Sequence, residues 1–368
     1  MIILKNSEKF SVFKTTDKNN KNIILKIANK NPRKILREIK LIKILCSSSK
    51  FFKNSIPDIL EHGYFKNGLF KNKGYYKQKY IPGLTFSQII QNEPISKVKL
   101  QTILKILIKK FLVPIRGSKF IKNKRNPANL LSKMIYFEYK KITDKYLLSS
   151  LEKSKSIYID RQKYKNIKFY LKKILNSKSI KKLNKEFFFL SDIGHWNFHG
   201  GNIIFPNKKN YNNFSLIDPD ATWDINDPFF SLARFIYTYP HDTMEYNKYL
   251  IYSYNLQKIE NKNKLIFKHK TLWKKNTSKK YNYVFSEFYK KNFKKKNLLQ
   301  NSLNKKEYLR YNLSLILCFM RGINSNFEPK LNFLDKKAFI FQNKGIYLYL
   351  LTLERLKILE NYLDQKNE

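Results

Sequence analysis

Short apolar runs bounded by turn residues open the chain. Ile2–Lys5 and Phe10–Thr15 read as two strands around Asn6-Ser7-Glu8-Lys9, and Ile23–Ile27 reads as a third after the polar stretch Asp17–Lys21. The period then changes. Ile35, Leu36, Ile39, Ile42 and Leu45 recur at helical spacing behind Pro32, whose fixed φ suits a first turn. Leu60–Phe65 and Tyr75–Tyr80 return to strand character, with Asn67-Gly68 as a turn between them. Pro82-Gly83 breaks the chain, and Thr85 can cap a helix over Phe86–Gln91. Residues 93–190 are helical in flavour, interrupted at Arg116-Gly117-Ser118 and Asn126-Pro127. A second strand pair, Ile203–Phe205 and Phe214–Ile217, flanks a Lys/Asn-rich turn. Residues 243–310 show no clear period and predict a solvated, partly irregular insertion. Two or three helices close the sequence over Tyr308–Leu363, Tyr347–Tyr362 being the plainest.

Composition narrows the class. With 368 residues, 42% of them hydrophobic and 15% aromatic, the chain can bury a sizeable core or two lobes. No stretch has the apolar length of a membrane span, and Met1–Lys5 has no signal-peptide pattern, so the expected location is cytoplasmic. Cys46 and Cys318 lie in apolar helical stretches far apart, which predicts reduced core thiols rather than a disulfide or zinc site. The formal charge of +47 would attract polyanions. Yet only nine of the 74 basic residues are Arg, the side chain that phosphate and base recognition favours. The lysines also run along the whole chain, and Lys, Asn, Ile, Phe and Tyr share AT-rich codons. Compositional drift therefore ranks ahead of a nucleic-acid or anionic-membrane surface.

Chemistry concentrates in His195-Trp196-Asn197-Phe198-His199-Gly200-Gly201-Asn202 and in Ile217-Asp218-Pro219-Asp220. The strand pair places Asn202, Asp218 and Asp220 near one end of a ribbon, where an amide oxygen and carboxylates suit Mg²⁺. These segments resemble the catalytic loop and metal-binding strand end of the aminoglycoside and choline kinase branch of kinase-like phosphotransferases. That branch reads His-Gly-Asp-x-His-x-x-Asn, then Ile-Asp-x-Glu/Asp. Here Asn197 stands where the family has its catalytic Asp, and Trp196 where it has Gly. Asp224, Asn226-Asp227-Pro228 and Leu232-Ala233 resemble the family's next segment, with Ser231 in place of an Asp. The order of strands and helix in the first 80 residues is similar to the family's small lobe.

The resemblance implies an α+β, two-lobed protein kinase-like fold: a small β-rich lobe with the hinge over 1–82, then a larger, mostly helical lobe over 83–368. It implies ATP and Mg²⁺ as cofactors and a small hydroxylated acceptor. Lys26 would bind phosphate and pair with Glu38, while Ser7 and the loop backbone would meet the phosphates. Gln78, Tyr80 and Ile81 would serve adenine at the hinge. Asn202 and Asp218 would hold the metal, and Asp218 must lie within a triphosphate's reach of Lys26. His195 and His199 would brace the loop, since a zinc site needs a third ligand that is not near.

Asn197 hydrogen-bonds but takes up no proton as a carboxylate does. Losing a general base costs roughly 10²–10⁴-fold, or about 2.7–5.4 kcal/mol. Positioning and electrostatics supply most of phosphoryl transfer, so the first expectation is a working small-molecule kinase whose acceptor needs no strong base, or which uses another carboxylate such as Asp192 or Asp220. The alternatives are a nucleotide-binding pseudokinase and a polyanion-binding protein on the same scaffold.

Overall fold

The computed structural model describes residues 1–92, 96–117, 121–122, 127–143, 146–154, 156–159, 162–185, 189–190, 197–207, 210–219, 228–245, 251–254, 257–259, 264–267, 269–272, 303–326 and 336–365. They form two units, interleaved in sequence: 1–121 with 190–235, and 122–189 with 236–368.

The first unit opens with β1 (Ile2–Asn6), β2 (Phe10–Thr16) and β3 (Asn22–Ala28), then α1 (Pro32–Ser48), α2 (Lys50–Ser55), β4 (Ile59–Tyr64) and β5 (Gly74–Lys79). The five strands make an antiparallel sheet in the order β1-β2-β3-β5-β4. Alternation along β3 sorts its side chains between two faces. Ala28 packs with Ile35 and Ile39 of α1 and with Tyr76, while Leu25 and Ile27 pack with Phe13, Phe65, Phe70 and Tyr75. α1 starts where the sequence predicts: the Asn31 side chain accepts from the Arg33 N–H at 3.0 Å, with Pro32 in the first turn.

β6 (Leu84–Thr85), α3 (Phe86–Asn92) and α4 (Lys97–Gly117) follow. Thr85 and Gln88 form a reciprocal capping box: the Thr85 hydroxyl accepts from the Gln88 N–H at 3.2 Å, and the Gln88 side chain accepts from the Thr85 N–H at 2.9 Å. Gly83 has φ 136°, and a Cβ there would collide with the Phe205 carbonyl.

The second unit begins at Lys122, in the short strand β7 (Ile121–Lys122). It contains α5 (Pro127–Thr143), α6 (Tyr146–Lys153), β8 (Ser156–Ile159), β9 (Gln162–Tyr164), α7 (Ile167–Leu175) and α8 (Lys178–Lys185). Glu152 organises this part. Its carboxylate accepts from the Ile167 and Lys168 N–H groups at 3.1 and 3.2 Å and from the Tyr139 hydroxyl at 2.8 Å. The chain then passes β10 (Phe189–Leu190) and returns to the first unit for β11 (Ile203–Phe205), β12 (Ser215–Leu216) and the start of α9 (Pro228–Glu245).

Within 243–310 the described residues carry β13 (Ile251–Tyr254), β14 (Gln257–Ile259), β15 (Lys264–Phe267) and β16 (His269–Leu272). The expected irregular insertion is thus partly sheet, because β15 finds a distant parallel partner in β8, with Leu265 opposite Ile157. Helices Lys305–Asn326 and Lys336–Asp364 finish the unit and pack on each other, on α5 and on α7. Of the two free thiols, Cys318 is buried as a core residue, whereas Cys46 is only half-buried because it lies toward the open side of α1.

Candidate active site

Every described residue of the candidate site belongs to the first unit. β3 carries Lys26 between Val12 of β2 and Tyr76 of β5, on the face that meets α1. There the Lys26 ammonium donates to both Glu38 oxygens, at 2.7 and 2.9 Å. The Tyr76 hydroxyl donates to the same carboxylate at 2.6 Å, and the Phe10 ring lies 4.6 Å from the ammonium. The sequence placed Lys26 and Glu38 but not Tyr76 or Phe10; an aromatic alternating along a strand carries no signal of what its rim touches.

The ribbon brings up the other side. β11 pairs antiparallel with β12, Ile203 opposite Leu216, and the Ile217 N–H donates to the Asn202 carbonyl at 3.0 Å. Asn202 therefore enters the ribbon where Asp218 leaves it. Asp218 has φ 55°, a left-handed conformation that Asp tolerates better than most residues. That turn carries its carboxylate into an ion pair with Lys26. Lys26 is 5% exposed and joins Glu38, 4% exposed, to Asp218, whose side chain is 36% exposed.

Burial by itself would lower the Lys26 pKa, but the acidic groups around it, Tyr76, Glu38 and Asp218, hold it well above the ordinary 10.5. Glu38 is raised from its ordinary 4.5, chiefly by burial and against the pull of Lys26. Burial also pushes the Asp218 carboxyl up, but Lys26, with smaller help from Lys5 and His199, wins and holds it below 3.8.

Asn197 joins the same knot. Its amide donates to the Asp218 carbonyl at 3.0 Å and to the Asp218 carboxylate at 3.3 Å. The Asn202 amide donates to the Asn197 carbonyl at 3.0 Å and more weakly to the Asp218 carbonyl at 3.4 Å. His199 accepts the Gly201 N–H at 3.1 Å and caps the turn Gly200–Asn202. Gly200 lets that turn rest against α3, for a Cβ would press on the Ser87 hydroxyl at 2.5 Å.

The nucleotide side is mixed. The Ser7 hydroxyl donates to the Phe10 carbonyl at 2.9 Å and accepts the Phe10 N–H at 3.1 Å, so its proton points into its own loop. Asn29 braces that loop by donating to the Ser7 carbonyl at 2.7 Å and to Ser11 at 2.9 Å, a network the sequence did not show. Gln78 is buried in β5 and donates to the Pro57 carbonyl at 2.7 Å. Tyr80 and Ile81 emerge just beyond the end of that strand. Asp192, His195, Trp196, Asp220, Asp224, Asn226 and Asp227 lie outside the described residues.

Among the described residues no group of three or more His, Cys, Asp or Glu is placed to hold a metal, and no helix is long and apolar enough to cross a membrane. No family model and no curated protein matches the chain. Among solved structures, a presumptive aminoglycoside phosphotransferase from Ralstonia eutropha aligns over 96% of this chain and 91% of its own, with 9% identity and a TM-score of 0.50. An aminoglycoside phosphotransferase from Alicyclobacillus acidocaldarius aligns over 98% and 92%, with 10% identity and a TM-score of 0.45. An apo pseudokinase aligns over 85% and 90%, with 10% identity and a TM-score of 0.29. The first likeness, with the five-stranded sheet and the helical remainder, establishes a kinase-like α+β fold.

Proposed function

We propose that this chain is an ATP-dependent phosphotransferase for a small hydroxylated metabolite, such as a sugar or amino alcohol, with Asn197 in place of the usual carboxylate. The junction in which Lys26 reaches both Glu38 and Asp218 carries this reading. A buried lysine between two carboxylates from distant segments brings together the groups that phosphate and metal need.

The donor set fits Mg²⁺. The Asn202 amide nitrogen is committed to two carbonyls, which leaves its oxygen as the hard donor beside the Asp218 carboxylate. Two protein oxygens fall short of a full cage, and Mg²⁺ characteristically completes such a set with water and phosphate. When bound, Mg·ATP supplies the phosphoryl group together with the charge that neutralises it. The rest falls to the chain. Lys26, aligned by Glu38 and Tyr76, exchanges part of its hold on Asp218 for phosphate oxygens. Tyr80 and Ile81 offer backbone groups to adenine, with Gln78 fixing the strand behind them rather than touching base. The loop Asn6–Lys9 covers the phosphates through its backbone, with Ser7 shaping it. Asn197, its nitrogen held by Asp218, turns its oxygen to the acceptor hydroxyl and orients it. Asp220 receives the proton, and His199 holds the loop.

Titration of ATP with and without Mg²⁺ tests the site. Asp218→Ala should weaken Mg·ATP by tenfold or more and leave metal-free ATP little changed, since it releases Lys26. Equal weakening of both would remove the metal assignment. A single-turnover screen with labelled ATP and pooled metabolites then identifies the acceptor. The commitment of the Asn197 amide to Asp218 also favours a second reading, a pseudokinase that binds nucleotide and transfers phosphate to nothing in that screen.

A further inference from the structure

Exposed rings and lysines occur on the neighbouring helices α5 and α8 of the second unit. Four Phe or Tyr side chains are exposed among the described residues: Tyr64, Tyr136, Phe137 and Phe169. Two of them, Tyr136 and Phe137, are adjacent on α5, and a third lies on α7. Tyr136 is 53% exposed and Phe137 58%. Each carries a lysine from the next turn over its ring: the Lys140 ammonium lies 5.1 Å from the Tyr136 centroid and the Lys141 ammonium 4.2 Å from that of Phe137.

α8 packs against α5, the Ser132 hydroxyl reaching the Asn184 side chain at 3.4 Å. Its exposed positions Lys178, Lys181 and Lys182 recur at helical spacing, so one face of the helix is a row of ammonium groups. α8 itself contains no acidic residue. α7 contains none either, although its Lys173 pairs with Glu360 and Asp364 from the C-terminal helix, and Glu138, the one acid of α5, is buried beneath Asn324 and Arg321 and pairs with Lys141 at 3.3 Å.

We propose that this α5–α8 face binds single-stranded nucleic acid, with bases stacking on Tyr136 and Phe137 and phosphates meeting the lysines. Drift toward lysine explains charge anywhere on the surface. It does not explain why two adjacent exposed rings, each beneath a lysine, lie on a helix whose one acid is buried. The ring-beside-ammonium unit matches the two chemistries of one nucleotide, a flat base and an anionic phosphate, and such stacking is tolerant of sequence. An anionic membrane would share the charge, but an inserting face also carries aliphatic side chains. No large aliphatic side chain is exposed among the described residues of α5, α7 and α8.

Fluorescence anisotropy of the full chain with a labelled 20-nucleotide oligouridylate, at about 50–200 mM salt, provides the test. Affinity should fall steeply with salt through counterion release. Tyr136→Ala with Phe137→Ala should weaken binding roughly tenfold or more at fixed salt, and Tyr136→Trp with Phe137→Trp should restore it. Lys181→Gln with Lys182→Gln should lower the salt slope by roughly one per lost contact. Lys66→Gln with Lys71→Gln, exposed lysines of the first unit, should change affinity less than twofold. Binding unaffected by the double alanine change, or weakened equally by both lysine pairs, would reduce the effect to diffuse charge and overturn the proposal. Stronger capture by phosphatidylserine vesicles than by the oligonucleotide, lost with the same rings, would overturn it in favour of a membrane.

Discussion

Lys26 is the residue on which the candidate site turns. Two carboxylates share one buried ammonium, so its removal leaves both without a counter-ion. Lys26→Met should destabilise the protein by about 3–5 kcal/mol near neutral pH, toward the lower figure because Asp218 is partly open to solvent. The signs of the shifts set the pH window. The contribution of Asp218, whose pKa is depressed, is present above the ordinary carboxylate value and disappears as pH falls through its folded value. The contribution of Lys26, whose pKa is raised, is present below 10.5 and disappears as pH rises through its folded value. Urea denaturation at pH 2, 7 and 9 should therefore show the gap between wild type and Lys26→Met wide at the two higher values and narrower at the lowest, which lies below the ordinary 3.8 of Asp218. A gap that is constant across the series would mean that the ammonium acts only by packing. Asn197 gives a second test. Asn197→Asp sets a carboxylate against the carbonyl and carboxylate of Asp218, so it should lower the melting temperature, and Mg²⁺ should raise that of the variant more than that of the wild type. Asn197→Ala should slow single-turnover transfer by roughly two- to tenfold, the worth of one hydrogen bond; an unchanged rate would move this residue away from the acceptor. At this scale Lys26, Glu38, Asn202 and Asp218 were legible because their order and spacing matched a known arrangement. Tyr76, Phe10 and Asn29 were not, because their roles depend on which neighbour a strand alternation presents to them. Ser7 was legible as a turn residue, but not the direction of its hydroxyl.

Among the elements, the first unit followed local rules closely. Pro32 and Asn31 start α1, Thr85 caps α3, and the strands fall within a residue or two of the alternating runs. The second unit was harder to read. β8 and β9 are four and three residues long and sit in a stretch of helical composition, and the parallel partner of β8 arrives more than a hundred residues later. No window of sequence contains both halves of that pairing. Gly83 tests how tightly the turn before β6 is built. Gly83→Ala would impose a φ of 136° on an L side chain and drive its Cβ into the Phe205 carbonyl. A loss of stability of about 1–3 kcal/mol by chemical denaturation is expected. Denaturation curves that coincide with wild type would show that the segment relaxes at no cost. Asn31→Ala removes one cap and should cost about 1 kcal/mol in the same measurement.

For the whole molecule, +47 is a load on the native state, since a compact form crowds like charges that the unfolded chain spreads out. Raising salt from about 20 to 200 mM shortens the range of that repulsion and should raise the melting temperature. A falling value would mean that favourable ion pairs outweigh it. Composition announced the charge at once, but not its placement, which depends on which helix faces stay exposed. The interleaving of the two units has a further consequence, in time. Glu38 follows Lys26 by 12 residues, whereas Asp218 follows it by 192. At about 5–20 residues per second, the second carboxylate leaves the ribosome on the order of 10–40 s after the lysine. The nascent chain thus holds half of the ion-pair knot early and waits for the rest, and through that interval α1 and the sheet must keep Lys26 in place without Asp218.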